Sequence, residues 1–323
     1  MSPENKRGHT RMEQQPRNDT VGVIGLGAMG MGIANAMLEA GLPVIGCDVS
    51  ASARETFEAQ GGRSVPTPAE LAHECEVVLL VVVNAEQVEA VLFGERGLAG
   101  ELAPGSLIVQ CATVAPSYAE ALGERLKAMD LDMLDAPISG GAAKARAGEL
   151  SVMSSGSDAA YAKGQAALDA MAAKVYRLGD TPGVGSSVKL VNQHLAGVHI
   201  AAAAEAMALG MRMGIDPETL YEVITHSAGN SWMFENRVPH ILKADYTPLS
   251  AVDIFVKDLN IVHQTGRELR LSMPVAASAL QQFTAASGAG FGREDDAAVI
   301  KVYQRLSAFE LPEANDAQRE GES

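Results

Sequence analysis

The run Val-Gly-Val-Ile-Gly-Leu-Gly-Ala-Met-Gly at residues 21–30 carries a short apolar strand straight into glycines at 25, 27 and 30. A helical pattern, Met31 to Ala40, follows at once. Each glycine answers a separate demand. Gly25 permits a tight turn, Gly27 lets a ligand approach the backbone, and Gly30 lets the helix lie close on the strand. The first helical turn then offers unbonded N–H groups and a partial positive charge to an anion. A second strand, Pro43 to Cys47, ends in Asp48, 23 residues beyond Gly25. A carboxylate there accepts hydrogen bonds from ribose hydroxyls and repels a 2′-phosphate. Strand, glycine turn, helix, strand and acid in that order predict a dinucleotide site, with NAD favoured over NADP. Its pyrophosphate would lie over Gly25, Leu26, Gly27, Ala28, Met29 and Gly30.

The chain has 323 residues, which fits two domains better than one. From Val21 to about Leu178, strand-like runs alternate with helical patterns. The strand candidates are 21–24, 44–47, 77–83, 107–110, 132–135 and 150–154. Val77 to Val83 is apolar throughout, as befits a strand covered on both faces. The alternation predicts a mostly parallel sheet flanked by helices. After Thr181-Pro182-Gly183 the pattern turns wholly helical. A long helix spans about 185–213, with a narrow stretch at Ala201–Ala204 where another helix would pack close. Further helices are expected at 217–228, 252–270, 275–286 and 297–306. The expected domains are therefore 21–182 and 183–310, with polar, disordered tails at 1–20 and 311–323.

Twenty-five basic against forty acidic residues give a net charge of −15, which argues against nucleic acid or an anionic membrane as partner. Cys47, Cys75 and Cys111 are odd in number and form no C-x-x-C pair, so they read as small buried hydrophobes in a reducing compartment. The polar start carries no apolar signal core, and no apolar run of about 18 residues is evident, so a cytoplasmic protein is expected. The dispersed histidines show no metal-ligand spacing, and no metal is expected.

If both ligands are anions, positive charge must be concentrated locally. Lys189 lies early on the long helix in small and apolar surroundings, with Asn192 and Gln193 on the same helical face. Desolvation disfavours an ammonium, leaving an amine able to take a proton; a surface lysine lying along the helix fits the same pattern. Ser139-Gly140-Gly141, beyond the strand 132–135, offers successive N–H groups and a hydroxyl suited to a carboxylate, or is a plain flexible turn. Lys257, within Phe255-Val256-Lys257-Asp258-Leu259, either approaches the cofactor or pairs with Asp253 or Asp258. Thr113 offers a hydroxyl at another strand end.

Together these segments resemble the β-hydroxyacid dehydrogenase family, the group of 3-hydroxyisobutyrate dehydrogenase, tartronate semialdehyde reductase and 6-phosphogluconate dehydrogenase. Four motifs carry the resemblance in order: GLGAMG at 25–30, DAPISGG at 135–141, GVGSSVKLVNQ at 183–193 and FVKDL at 255–259. It covers nearly everything from Val21 to Leu306. It implies a Rossmann-type α/β domain followed by an all-α domain, joined by a long interdomain helix, in a homodimer or homotetramer.

The resemblance further implies an NAD-dependent dehydrogenase in which Lys189 is the general acid/base and Ser139, Gly140 and Gly141 hold the carboxylate of a small anionic hydroxy acid. Asn192 and Gln193 would orient that substrate; Gln193 departs from the asparagine of many members. Cofactor contacts carried over are the 25–30 turn, Asp48, Val82, Val83, Gln87, Thr113 and Lys257. NADP-using relatives tend to carry an Asn-Arg pair near this position, and Asp48-Val49-Ser50 has no such arginine. The stretch Ala196 to Lys257 is similar to members that oxidise the C2 hydroxyl of a four-carbon sugar acid. Many relatives have an aromatic residue at Ser250, and the smaller hydroxylated side chain would leave room for such a tail. The alternatives are another activity of the same family, an NADPH-dependent imine or carbonyl reductase, and a non-catalytic NAD-binding scaffold.

Overall fold

The computed structural model describes residues 20–307 and 309–313. Nearly all of both expected tails lies outside them. Six strands form one sheet: β1 (Val21–Ile24), β2 (Val44–Cys47), β3 (Arg63–Val65), β4 (Val77–Leu80), β5 (Leu107–Gln110) and β6 (Asp132–Asp135), in the order β3-β2-β1-β4-β5-β6. Every pairing in it is parallel. Helices α1 (Ala28–Glu39), α2 (Ala51–Ala59), α3 (Ala85–Phe93) and α4 (Pro116–Lys127) make the crossovers. One apolar cluster, including Val23, Leu79 and Val109, fills one face of the sheet; another, including Ile24, Leu80 and Ile108, fills the other. Alternate residues of each strand thus serve opposite layers.

Strand 77–83 ends earlier than expected, at Leu80. The Val81 N–H still donates to the Ile24 carbonyl at 2.8 Å, but Val81, Val82 and Val83 lie beyond the strand and line a cavity, so apolar character persists where pairing stops. Strand 150–154 also differs, because it belongs to a second sheet. Beyond β7 (Ile138–Ser139) and α5 (Gly141–Arg146), β8 (Leu150–Ser154) pairs antiparallel with β7. Across α6 (Asp158–Met171), it pairs in parallel with β9 (Ala172–Arg177).

Helix α7 (Val184–Arg212) leaves this domain and becomes the spine of the next. Around it pack α8 (Pro217–Thr225), α9 (Trp232–Lys243), α10 (Val252–Glu268), α11 (Pro274–Ala286) and α12 (Ile300–Ser307). Small residues set the approach: a Cβ on Gly197 would meet the Leu259 side chain at 3.0 Å. The sequence pattern names no helix between 228 and 252. Pro239 sits inside α9, where a proline ordinarily argues against helix, yet Ser231 caps the start by accepting the Phe234 N–H at 3.1 Å. By length and mean hydropathy α7 is apolar enough to cross a bilayer, which the sequence reading did not anticipate. Half of its most apolar window is buried within the structure, as in a core helix.

Candidate active site

The sheet changes direction between β1 and β4, and ligands in such sheets lie beyond the strand ends at that point. Gly25 stands there with φ +95°, its N–H donating to the Cys47 carbonyl at 2.8 Å. The Asp48 carboxylate accepts the Leu26 N–H at 2.7 Å and the Ser50 N–H at 2.8 Å, which fixes the acid beside the turn. No side chain caps α1 at Gly27, and its first turn holds no acidic residue. A Cβ on Gly27 would meet nothing within 4 Å, whereas one on Gly30 would fall 1.7 Å from the Gly25 oxygen. Close packing under the turn and an uncapped helix end above it fit a dinucleotide pyrophosphate. The Arg54 guanidinium donates to the Asp48 carbonyl at 2.6 Å, so an arginine adjoins the acid after all, supplied from one turn into α2.

A cavity of about 510 Å³ opens between this edge and the helical domain. Gly27, Ala28, Met29, Gly30, Val82, Val83, Thr113, Ser139, Gly140 and Gly141 line it from the first domain. Lys189, Asn192, Gln193, Ser250 and Lys257 line it from the second. Residues 48 to 230 positions apart are thereby brought to one space. Gly25, Leu26 and Asp48 lie off its wall. So does Gln87, whose side-chain oxygen accepts the Val83 N–H at 2.8 Å and braces the cavity loop. Gly140 and Gly141 have φ +141° and +78°, a conformation side chains resist, so the turn after Ser139 is shaped rather than slack.

Lys189 is buried, and burial pulls its amine down to about 8; Asp258 opposes that shift and Lys257 adds to it. Asp258, fully buried, holds the cluster together. It accepts a hydrogen bond from the Gln193 amide and lies 2.6 Å from the Lys257 ammonium. Lys257 also donates to the Thr113 carbonyl at 3.2 Å, tying α10 to the end of β5. The Asn192 amide donates to the Gln193 side-chain oxygen at 3.0 Å. Of the two partners the sequence offered Lys257, Asp258 is the one engaged; Asp253 instead accepts from Ser287 at 2.6 Å.

The start of α7 is fixed by a second buried carboxylate. Asp135 accepts the N–H groups of Gly183 and Ser186 at 2.9 and 2.8 Å, and the Ser186 hydroxyl at 2.7 Å. Burial raises its pKa against these bonds. On the helical wall, Arg237 of α9 faces the cavity and grips the fully buried Asp296, through Nε at 2.5 Å and Nη2 at 3.2 Å. Sequence reasoning did not identify this pair or the central role of Asp258. No local pattern in the segment around Arg237 marked it out.

Residues 20–179 match the model for the NAD-binding domain of 6-phosphogluconate dehydrogenase. Residues 183–303 match that for the NAD-binding region of NADP-dependent 3-hydroxyisobutyrate dehydrogenase. The chain is 59% identical to an L-threonate dehydrogenase of Cupriavidus necator, over 90% of this chain and 97% of that protein. It is 50% identical to an L-threonate dehydrogenase of Escherichia coli, over 89% and 95%. A crystal structure of 3-hydroxyisobutyrate dehydrogenase from Salmonella typhimurium superposes with a TM-score of 0.84 at 51% identity, covering 88% of this chain and 99% of that one. The glycine turn, the buried lysine and these likenesses over both domains agree: the chain belongs to the 3-hydroxyisobutyrate dehydrogenase-related family of NAD-binding hydroxyacid dehydrogenases.

Proposed function

We propose that the protein oxidises the C2 hydroxyl of L-threonate to the 2-oxo acid, with NAD as acceptor and Lys189 as the general base. The observation that carries this reading is a buried amine, pulled down to about 8, on the wall of the cavity that also holds the glycine turn. Oxidation of an alcohol removes a hydride from carbon and a proton from oxygen. NAD, when bound, supplies the hydride acceptor. The protein must supply a base for the proton, and a lysine near neutrality is matched to that task. Ser139 and the N–H groups of Gly140 and Gly141 hold the carboxylate. Asn192 and Gln193, kept in register by Asp258, orient the C2 hydroxyl toward Lys189. Asp48 favours NAD by meeting the ribose hydroxyls. The cofactor contacts are the 25–30 turn, Val82, Val83, Thr113 and Lys257, with Gln87 acting through Val83.

The L-threonate dehydrogenases at 50–59% identity favour the four-carbon acid. Ser250 supports it too, as a small polar wall residue where an aromatic would shorten the cavity. The test is a panel of L-threonate, D-threonate, D-erythronate, D-glycerate and 3-hydroxyisobutyrate, each with NAD and NADP, followed at the nicotinamide absorbance. L-threonate with NAD should give the highest kcat/KM; 3-hydroxyisobutyrate in that place would assign the other activity named among the relatives.

The reading extends to assembly and location. Val184, Val188, Val191 and Leu195 form one exposed apolar stripe along α7, suited to a second copy of the chain in a dimer or tetramer. Three buried, unpaired cysteines suit a reducing cytoplasm.

A further inference from the structure

The wall that α9 contributes to the cavity has a chemistry the proton transfer does not use. Arg237 is only 9% exposed and lines the cavity. Its Nε and Nη2 donate to the two oxygens of Asp296, and its Nη1 donates to the side-chain oxygen of Asn236, another wall residue. A guanidinium has five N–H groups, so these bonds leave two for a ligand. The segment beside it is pinned as firmly. The Asp296 N–H donates to the Ser250 carbonyl at 2.7 Å, and the Leu249 N–H donates to Asp295 at 3.0 Å. Burial raises the Asp296 pKa, and the Arg237 charge and the Ser250 hydroxyl oppose that rise.

The charge on this wall selects its ligand. Asp296 neutralises Arg237, and Asn236 and Ser250 are neutral, so the patch offers directional donors without net positive charge. A phosphate or second carboxylate would bring an unneutralised negative charge beside Asp296 into a buried site, at a large cost in desolvation. Neutral hydroxyl groups bring no charge and fit a fixed, planar fork of N–H donors. A pair this buried is costly to maintain for stability alone, since apolar residues of equal volume commonly serve as well.

We propose that Arg237, held by Asp296 and flanked by Asn236 and Ser250, is the subsite that binds the C3 and C4 hydroxyls of the substrate and so sets its length and polarity. This rests on the reading of the protein as a C2 dehydrogenase of a four-carbon sugar acid, and it makes Arg237 rather than Ser250 the principal specificity residue. A site built to hydrogen-bond a hydroxyl rejects analogues lacking it far more strongly than an apolar pocket rejects an extra methylene.

The test compares kcat/KM for L-threonate and for (R)-2-hydroxybutyrate, which keeps the carboxylate and C2 hydroxyl but lacks both distal hydroxyls. The wild type should prefer L-threonate by about a hundredfold or more. Two variants are needed, because removing Arg237 alone strands a buried carboxylate. Arg237→Lys retains the charge but not the fork; the double variant R237M/D296L removes both charges together. In each, the preference should fall by at least about tenfold, with thermal unfolding recorded alongside. A preference that survives in both variants, or activities on the two acids that fall in equal proportion, would overturn the subsite. A wild type that oxidises (R)-2-hydroxybutyrate but not L-threonate would overturn the functional reading itself, and the subsite with it.

Discussion

Asp135 and Ser186 meet twice: one carboxylate oxygen accepts the Ser186 N–H at 2.8 Å, and the other accepts its hydroxyl at 2.7 Å. Ser186 lies three residues before Lys189, so the last strand of the large sheet fixes the helix that carries the amine. Asp135→Ala would leave two buried N–H groups and a hydroxyl without that partner. At roughly 1–3 kcal/mol for each unsatisfied buried group, the loss should be at least about 3 kcal/mol. Asp135→Asn, which keeps an acceptor oxygen, should cost less. Urea unfolding of the three proteins measures both, and equal stability of Asp135→Ala and wild type would remove the clamp from the account.

The glycine turn separates packing from binding. Gly30→Ala drives a Cβ into the Gly25 carbonyl and should abolish the turn, lowering stability and NAD affinity together. Gly27→Ala enters open space, so the fold should keep its Tm while the methyl obstructs the pyrophosphate, weakening NAD binding at least about tenfold. Calorimetric titration with NAD and a thermal melt on each variant distinguish the cases.

Cofactor choice should turn on Asp48 and Arg54 jointly. The carboxylate repels a 2′-phosphate, yet a guanidinium already rests on the Asp48 carbonyl at 2.6 Å. Asp48→Ser should therefore do more than weaken NAD. It should lower the NAD-to-NADP ratio of kcat/KM by about a hundredfold, because a phosphate-binding cation is already in reach. Combining it with Arg54→Ala should forfeit the gain in NADP use.

Burying Lys189 has a thermodynamic cost whose sign is checkable. Its amine is near 8 in the fold against 10.5 when free. Below pH 8 the group is charged in both states, and the folded state bears the full penalty. Stability recovers as pH rises from 8 to 10.5, and above that both states are neutral. Lys189→Met should therefore stabilise the protein at pH 7 by on the order of 1–3 kcal/mol, with the advantage shrinking as pH climbs toward 10.5. Unfolding curves of both proteins across that range test it.

Much of this architecture was legible because it is local. The turn at 25–30, Asp48, Ser139-Gly140-Gly141 and the long helix from 184 declare themselves within a few residues through glycine spacing and apolar periodicity. What stayed hidden depends on partners distant in the chain. Arg237 finds Asp296 59 residues away, and Gln193 finds Asp258 across 65. No periodicity encodes such pairs. The early end of β4 was obscured for a different reason: residues 81–83 stay apolar and line a cavity beyond the strand's end. The second sheet escaped because β7 has two residues and β9 is mostly exposed, with too weak an alternation to read.

The central claim is that the Lys189 amine takes the substrate proton. It is tested most directly by the pH dependence of kcat/KM for L-threonate oxidation at saturating NAD, in the wild type and in Lys189→Met. In the wild type the rate should rise as the amine loses its proton and level off above pH 8 or so. In the variant the rate should fall at least about a hundredfold and that ascending limb should vanish, with NAD affinity near normal. A variant that keeps substantial turnover and the same limb would contradict the account.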